Sequence, residues 1–161
     1  MSNVNTADVL ERETGVSIDS WYEKVEDNPH LSHIPLTRTQ RCAHLPEMFR
    51  DLVTRLRDPL PLGTMALTSD AAHDHGCLRR DQGYTAAMMV EESRILQVSI
   101  FQTLKLYVER DAAPEDLLSD VMVIADEVDS QLAQAMMGYI AESDKDKKGD
   151  QVPPDEALVA G

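Results

Sequence analysis

Near the start of the chain, Ile18, Trp21 and Val25 fall at i, i+3 and i+7, which puts them on one face of a helix. Ser17 stands where it can cap that helix, and Asp27, Asn28 and Pro29 end it. Residues 4–14 predict an earlier helical turn or two, broken by Gly15, and residues 29–36 a tethered loop. The next apolar run, Cys42, Leu45, Phe49, Leu52, Val53 and Leu56, keeps helical spacing. Thr37 and Gln40 form a T-x-x-Q capping pattern in front of it, and "DPLPLG" stops it, so a helix is expected over 38–57. Pro46 lacks an N–H and clashes with the preceding turn, which predicts a kink near 42–45.

A further helix is expected over 64–82, with Gly83 taking the left-handed position after it and Thr85 capping the next one. That next helix, 86–110, carries Met89, Val90, Leu96, Ile100, Phe101, Leu104, Tyr107 and Val108 in one broad arc and is the expected central core helix. A second line on its more polar side, Met88, Ile95, Ser99 and Leu106, steps by 7, 4 and 7. This coiled-coil-like spacing predicts a homodimer seam, the alternative being cover by another helix of the same chain. Pro114, followed by Glu115 and Asp116, opens the last helix in accord with the proline rule and the helix dipole. There Leu118, Val121, Ala125, Val128, Leu132, Ala135 and Tyr139 alternate steps of 3 and 4, a seam that serves as bundle core or continues as a signalling helix. Beyond Ile140 the mixed charge and the Pro pair predict a linker or tail over 144–161, with the bundle occupying 1–143. The pattern predicts an all-α antiparallel bundle of four main helices with an additional short N-terminal helix.

Composition narrows the function classes. Aromatic residues make up only 4% of the 161 positions, which favours helices over strands. The net charge is −14, distributed as −5 over 1–36, +1 over 37–110 and −10 over 111–161. A chain this acidic, with no basic stripe, repels polyphosphates, so no nucleic-acid partner is expected. No apolar run approaches the roughly 18 residues of a membrane span. Cys42 and Cys77 form no CxxC motif and no signal segment precedes them, which points to the cytoplasm.

The candidate chemistry concentrates in "HDHGCLRRDQGYTAAMMVEES", residues 73–93. His44, His73, Asp74 and Asp126 or Asp129 reproduce the H…HD…D order of helical metal-dependent phosphohydrolases, without the "HDxGK"-like context of such sites. His73 and Cys77, four apart, could both bind zinc, but only Asp70 is at hand as a third ligand. No nucleophile-elbow motif is present. No catalytic residue, metal or cofactor is therefore assigned. A third reading starts from spacing: His75, Arg79 and Gln82 share one helix face, and Gly76 lets a neighbouring backbone come close. Glu91 and Glu92 lie about two turns into the next helix, where an antiparallel hairpin turning at Gly83 returns them alongside Arg79. A buried guanidinium needs such a carboxylate, and the resulting network orients two helices.

The run HG-x-x-R-x-x-QGY-(x)5-V-E-E-x-x-x-L, formed by His75, Gly76, Arg79, Gln82, Gly83, Tyr84, Val90, Glu91, Glu92 and Leu96, resembles the RsbRD-type N-terminal sensor domain. The upstream "IDSWYEKV", "NPHL", "IPLT" and "HLPEMFRDL" are similar to that family's opening helices, so the resemblance covers about residues 18–140. It implies a non-enzymatic, cytoplasmic, dimeric input domain whose last helix passes a signal to an output such as a histidine kinase or a stress-response STAS protein. His75, Arg79, Gln82 and Glu92 would then form the interhelical network, with Tyr84 at a pocket edge or dimer contact. With some twenty residues beyond the last helix, the expectation is an excised fragment or a partner acting in trans.

Overall fold

The computed structural model describes residues 4–65 and 68–149. It is all-helical, with no strand among the described residues. In chain order the elements are α1 (Thr6–Arg12), α2 (Thr14–Asp27), α3 (Pro29–Ser32), α4 (Arg38–Cys42), α5 (Leu45–Arg57), α6 (Asp70–Asp81), α7 (Ala86–Arg110) and α8 (Leu117–Gly149).

Local chemistry explains most boundaries. Asn5 caps α1 by accepting from the Asp8 N–H, and Asn28 caps α3 from the His30 N–H. Thr37 and Gln40 close the expected capping box on α4. The expected helix 38–57 is divided rather than kinked: α4 ends at Cys42, and Pro46 sits in the first turn of α5, where its missing N–H costs no helical bond. The expected start at 64 is also corrected. Ser69 caps α6 by accepting from the Ala72 N–H, while Gly63, at φ +73°, lies in the preceding turn. At the other end Gly83 adopts φ +90°, its N–H reaches the Arg80 carbonyl, and Thr85 caps α7 from the Met88 N–H. α8 extends past the expected bundle limit, so 144–149 are helical; the rest of the expected tail, 150–161, lies outside the described residues.

The core gathers Leu10 from α1, Trp21 and Val25 from α2, Phe49 and Leu52 from α5, Ile100 and Leu104 from α7 and Ile124 and Val128 from α8. α6 packs along α8 more extensively than any other two of the described helices pack together. The reason is steric: a Cβ at Gly76 would run into the Ala135 carbonyl, and one at Gly138 into the His73 carbonyl. The two helices meet backbone to backbone because neither position carries a side chain.

On α7, the expected dimer seam is not an open line. Met88, Ile95 and Ser99 are buried within this chain, and only Leu106, 61% exposed, faces outward. α2 supplies the cover, with Ser17 donating to Thr103 Oγ1 (2.9 Å) one turn beyond Ser99. The seam expected on α8 is divided likewise: Val128 and Ala135 are buried, and Leu118 is 78% exposed.

Candidate functional site

The chain turns at Gly83, but α6 packs along α8 and does not lie back against α7 as the expected hairpin would; long side chains alone carry the face His75–Arg79–Gln82 onto Glu92 of α7. Arg79 Nε donates to both carboxylate oxygens of Glu92 (3.0 and 3.1 Å), and His75 Nε2 lies 2.8 Å from Oε1. Arg79 is fully buried and Glu92 and His75 nearly so. The remaining guanidinium nitrogens are used as well: Nη1 donates to Gln82 Oε1 (2.7 Å) and Nη2 to the Arg41 carbonyl (2.6 Å). The guanidinium also lies over the Tyr84 ring, 4.8 Å from its centroid.

A second buried guanidinium, from α4, stands beside the first. Arg41 is 1% exposed and donates to the Tyr84 hydroxyl (2.9 Å), to Glu26 (2.6 Å) and to the carbonyls of Ile34 (2.7 Å) and Leu31 (3.3 Å). The backbone of this junction is also tied down, because Trp21 Nε1 donates to the Glu92 carbonyl (3.3 Å) and the Tyr139 hydroxyl to the Tyr84 carbonyl (2.7 Å). Five helices, α2, α4, α6, α7 and α8, therefore converge on residues 79–92.

The electrostatics follow from this packing. Burial pushes the Glu92 carboxyl up, but the Arg79 guanidinium and the His75 hydrogen bond outweigh it and hold the group at about 2. Burial depresses His75, against the opposing pull of Glu92, so the imidazole is neutral at pH 7. A neutral His75 that donates from Nε2 to the carboxylate leaves Nδ1 as an acceptor, and Nδ1 has no partner among the described residues. The His44 ring lies edge-on to it at 5.9 Å, also with a buried Nδ1 lacking a partner. Burial raises the Tyr84 hydroxyl, which keeps it protonated. Next to His75 and Glu92 is an internal cavity of about 30 Å³ lined by Trp21, Met48, Met89, Leu96 and Val128 among others. It is an order of magnitude smaller than the roughly 300 Å³ of the smallest ordinary ligand pockets.

His75, Arg79, Gln82, Tyr84 and Glu92 are thus brought together; Gly83 makes the turn between the two helices, and Gly76 faces Ala135 of α8 instead. Glu91 does not join them. One residue from Glu92 it points about 100° away, where it accepts from Arg94 (2.7 Å) and Asn28 (3.2 Å). Arg41, Glu26 and Trp21 were missed, and for Arg41 the signal was faint: one of two arginines in a short polar helix, "RTQRC".

The residues of the metal readings do not converge. His73 and Asp74 lie on the surface, 47% and 68% exposed. Asp126 is engaged by Arg55 (3.3 Å) and by the Gly63 N–H (3.2 Å). Cys77 Sγ lies 3.8 Å from His73 Nδ1 and donates to the Gly138 carbonyl (3.5 Å), and burial pushes its thiol up. Among the described residues no group of three or more His, Cys, Asp or Glu is placed to hold a metal ion.

A second polar cluster, unforeseen from sequence, joins α5 to α8. Arg55 is 4% exposed, bonded to Asp126, with Glu127 Oε2 at 3.9 Å. Gln131 donates to the Met48 carbonyl (3.0 Å) and to Glu127 (3.3 Å). Burial pushes the Glu127 carboxyl up to about 7, against Gln131 and Arg55, which pull it down.

No family model matches the chain, and neither a curated protein nor a solved structure matches it. Among the described residues no helix is long and apolar enough to cross a membrane.

Proposed function

We propose that the chain is a non-enzymatic signal-input domain of the RsbRD-like kind, cytoplasmic and homodimeric, built as a bundle of four main helices, α5 to α8, with α1 and α2 laid against it. It regulates an output domain or a partner, such as a histidine kinase or a STAS protein, through rearrangement of α8.

One observation carries this reading. Adjacent residues of α6 face two different neighbours: His75 bonds Glu92 of α7, and Gly76 meets the Ala135 backbone of α8. A displacement of α7 that disturbs the Glu92 network is therefore delivered to α8 at the next residue. A buried ion pair is a poor way to gain stability compared with apolar packing, and its known use is to fix one arrangement over others. A second packed arrangement of α6, beside the one in the structure, would give the bistable element that a signal needs, and an input would act by binding one of them better. The small size of the core cavity favours a surface contact or a partner protein over a bulky ligand inside the bundle.

Hydrogen exchange tests the coupling. Replacing the lock by apolar groups, Arg79→Met with Glu92→Leu, keeps the volume filled and removes the ionic contacts. Faster exchange in α8 around Gln131 to Gly138 is expected, along with α6 and α7. A change confined to α6 and α7 would leave the last helix uncoupled and defeat the reading.

A further inference from the structure

The two guanidiniums of the buried junction are held unequally. Arg79 stands on α6, which packs along α8, whereas Arg41 stands on a segment with little else to fasten it. Of residues 29–43, which include α3 and α4, only Leu31 and Arg41 are buried, while Ile34, Leu36 and Cys42 rest half-covered against the core. Outside the two short helices, the backbone N–H bonds of this segment all end within 28–43, so none ties it to the bundle among the described residues. The ion pair of Arg38 with Asp19 is exposed on both sides and contributes little.

Arg41 is the fastening. It gathers the Leu31 and Ile34 carbonyls of its own segment and joins them to Glu26 of α2 and to the Tyr84 hydroxyl just before α7. Arg79 holds the same point from the other side, with Nη2 on the Arg41 carbonyl (2.6 Å). A stretch with so few buried apolar contacts belongs to the low end of local stability. Its two ends also let it leave as a piece, since α2 has finished at Asp27 and the break at residues 43–44 separates α4 from α5. We propose that residues 29–43 form a strap that opens as a unit, far more often than the bundle unfolds, and that its opening uncovers the Arg79–Glu92 pair.

Charge sets how firmly the strap closes. Arg41 and Arg79 are like charges brought to the same tyrosine, and the carboxylates that offset them are Glu26 and Glu92. Glu26 is the most exposed of the four, its side chain 39% accessible, so the charge partner of the strap is the one that solvent reaches. With the strap open, Arg79 Nη2 loses the Arg41 carbonyl and Tyr84 loses its Arg41 donor. Water takes both places, and the ion pair gives up the dry surroundings in which such bonds are strong. The opening is a property of the fold alone; only its use as the place where an input enters rests on the signalling reading.

Hydrogen exchange of the full chain at pH 7, resolved by peptide over a series of low urea concentrations, tests the strap. Its amides are expected to exchange at least about a hundredfold faster than the buried turns of α5 and α7, at rates nearly indifferent to urea, because little surface is exposed. Glu26→Gln, at an exposed position, should speed exchange in 29–43 by about tenfold and leave α5 and α7 as they are. Arg41→Met should speed it further; if that protein fails to fold by circular dichroism, the wild type and Glu26→Gln decide. Arg79, closed off in the structure, should react with phenylglyoxal in step with the exchange of 29–43, read by mass spectrometry. A strap with the urea dependence of α7, a Glu26→Gln effect that is absent or spread evenly over the bundle, or Arg79 modification that does not follow 29–43 would each overturn the inference. None of these measurements involves α8, whose response tests the signalling reading separately.

Discussion

Arg79 and Glu92 face each other across the α6–α7 turn with the guanidinium Nε 3.0 and 3.1 Å from the two carboxylate oxygens, both side chains shut off from solvent. Burying two charges costs several kcal/mol per ion, so the pair persists only because its remaining donors are satisfied by Gln82 and the Arg41 carbonyl. The groups serve as architecture. Because Tyr84 accepts from Arg41 and stacks under Arg79, its hydroxyl links two like charges that would otherwise repel. Tyr84→Phe leaves one guanidinium N–H of Arg41 unpaired and should cost about 1–3 kcal/mol in urea denaturation.

Acid should loosen the junction in two stages. Glu92 sits at about 2 instead of the ordinary 4.5, so its contribution is present above about pH 4.5 and is lost as pH falls toward 2. His75 lies below its ordinary 6.5, so protonation favours the unfolded chain and stability begins to fall once pH drops through 6.5. Denaturation midpoints from pH 3 to 8 should show Glu92→Gln removing the lower stage and His75→Gln the upper one. Profiles that keep the wild-type shape in both variants would contradict this assignment.

Glu127 acts in the opposite sense. Its value is raised from 4.5 to about 7, so the protonated form belongs to the folded chain; its contribution is full below about pH 4.5, declines as pH rises and is gone above about 7. The charged groups facing it are Arg55 and Asp51 from α5 and Asp126 from α8. Glu127→Gln should therefore raise stability at pH 8 by about 1–3 kcal/mol and leave it unchanged near pH 4.

Much of the α6–α7 junction was legible because its information is local, although the helices themselves do not pack as the expected hairpin. Gly83, Thr85 and the Thr37–Gln40 box are caps written within four residues, and Arg79 and Glu92 are 13 apart across one tight turn. What stayed hidden depends on distant partners. Arg41 lies 43 positions from Tyr84, and Gln131 lies 83 from Met48. A polar residue on an apolar face reads as solvent-facing until the element covering it is known. The late start of α6 against the expected 64 has the same cause: Ser69, its cap, is fixed in place by bonds to Asp51 of α5 and Gln134 of α8. The seam on α7 failed because its spacing records burial without saying which chain does the burying.

The α6–α8 crossing makes a steric prediction. Gly76→Ala and Gly138→Ala set a methyl group against the backbone, which cannot swing aside, so each should lower stability by about 3 kcal/mol or more. Gly15→Ala, with open space around it at the start of α2, should be neutral or slightly stabilising. Thermal melts of the three variants distinguish close packing from a general helix-propensity gain, which would stabilise all of them.

The most direct measurement is a double-mutant cycle on Arg79 and Glu92, with Arg79→Ala, Glu92→Ala and the pair compared by chemical denaturation at pH 7. A buried, fully bonded pair predicts that Arg79→Ala alone costs about 3–5 kcal/mol and that the second substitution adds little, because the first has already stranded its partner. Additive effects, or an Arg79→Ala protein as stable as the wild type, would show that the two groups do not hold each other and that the α6–α7 junction is fixed by something else.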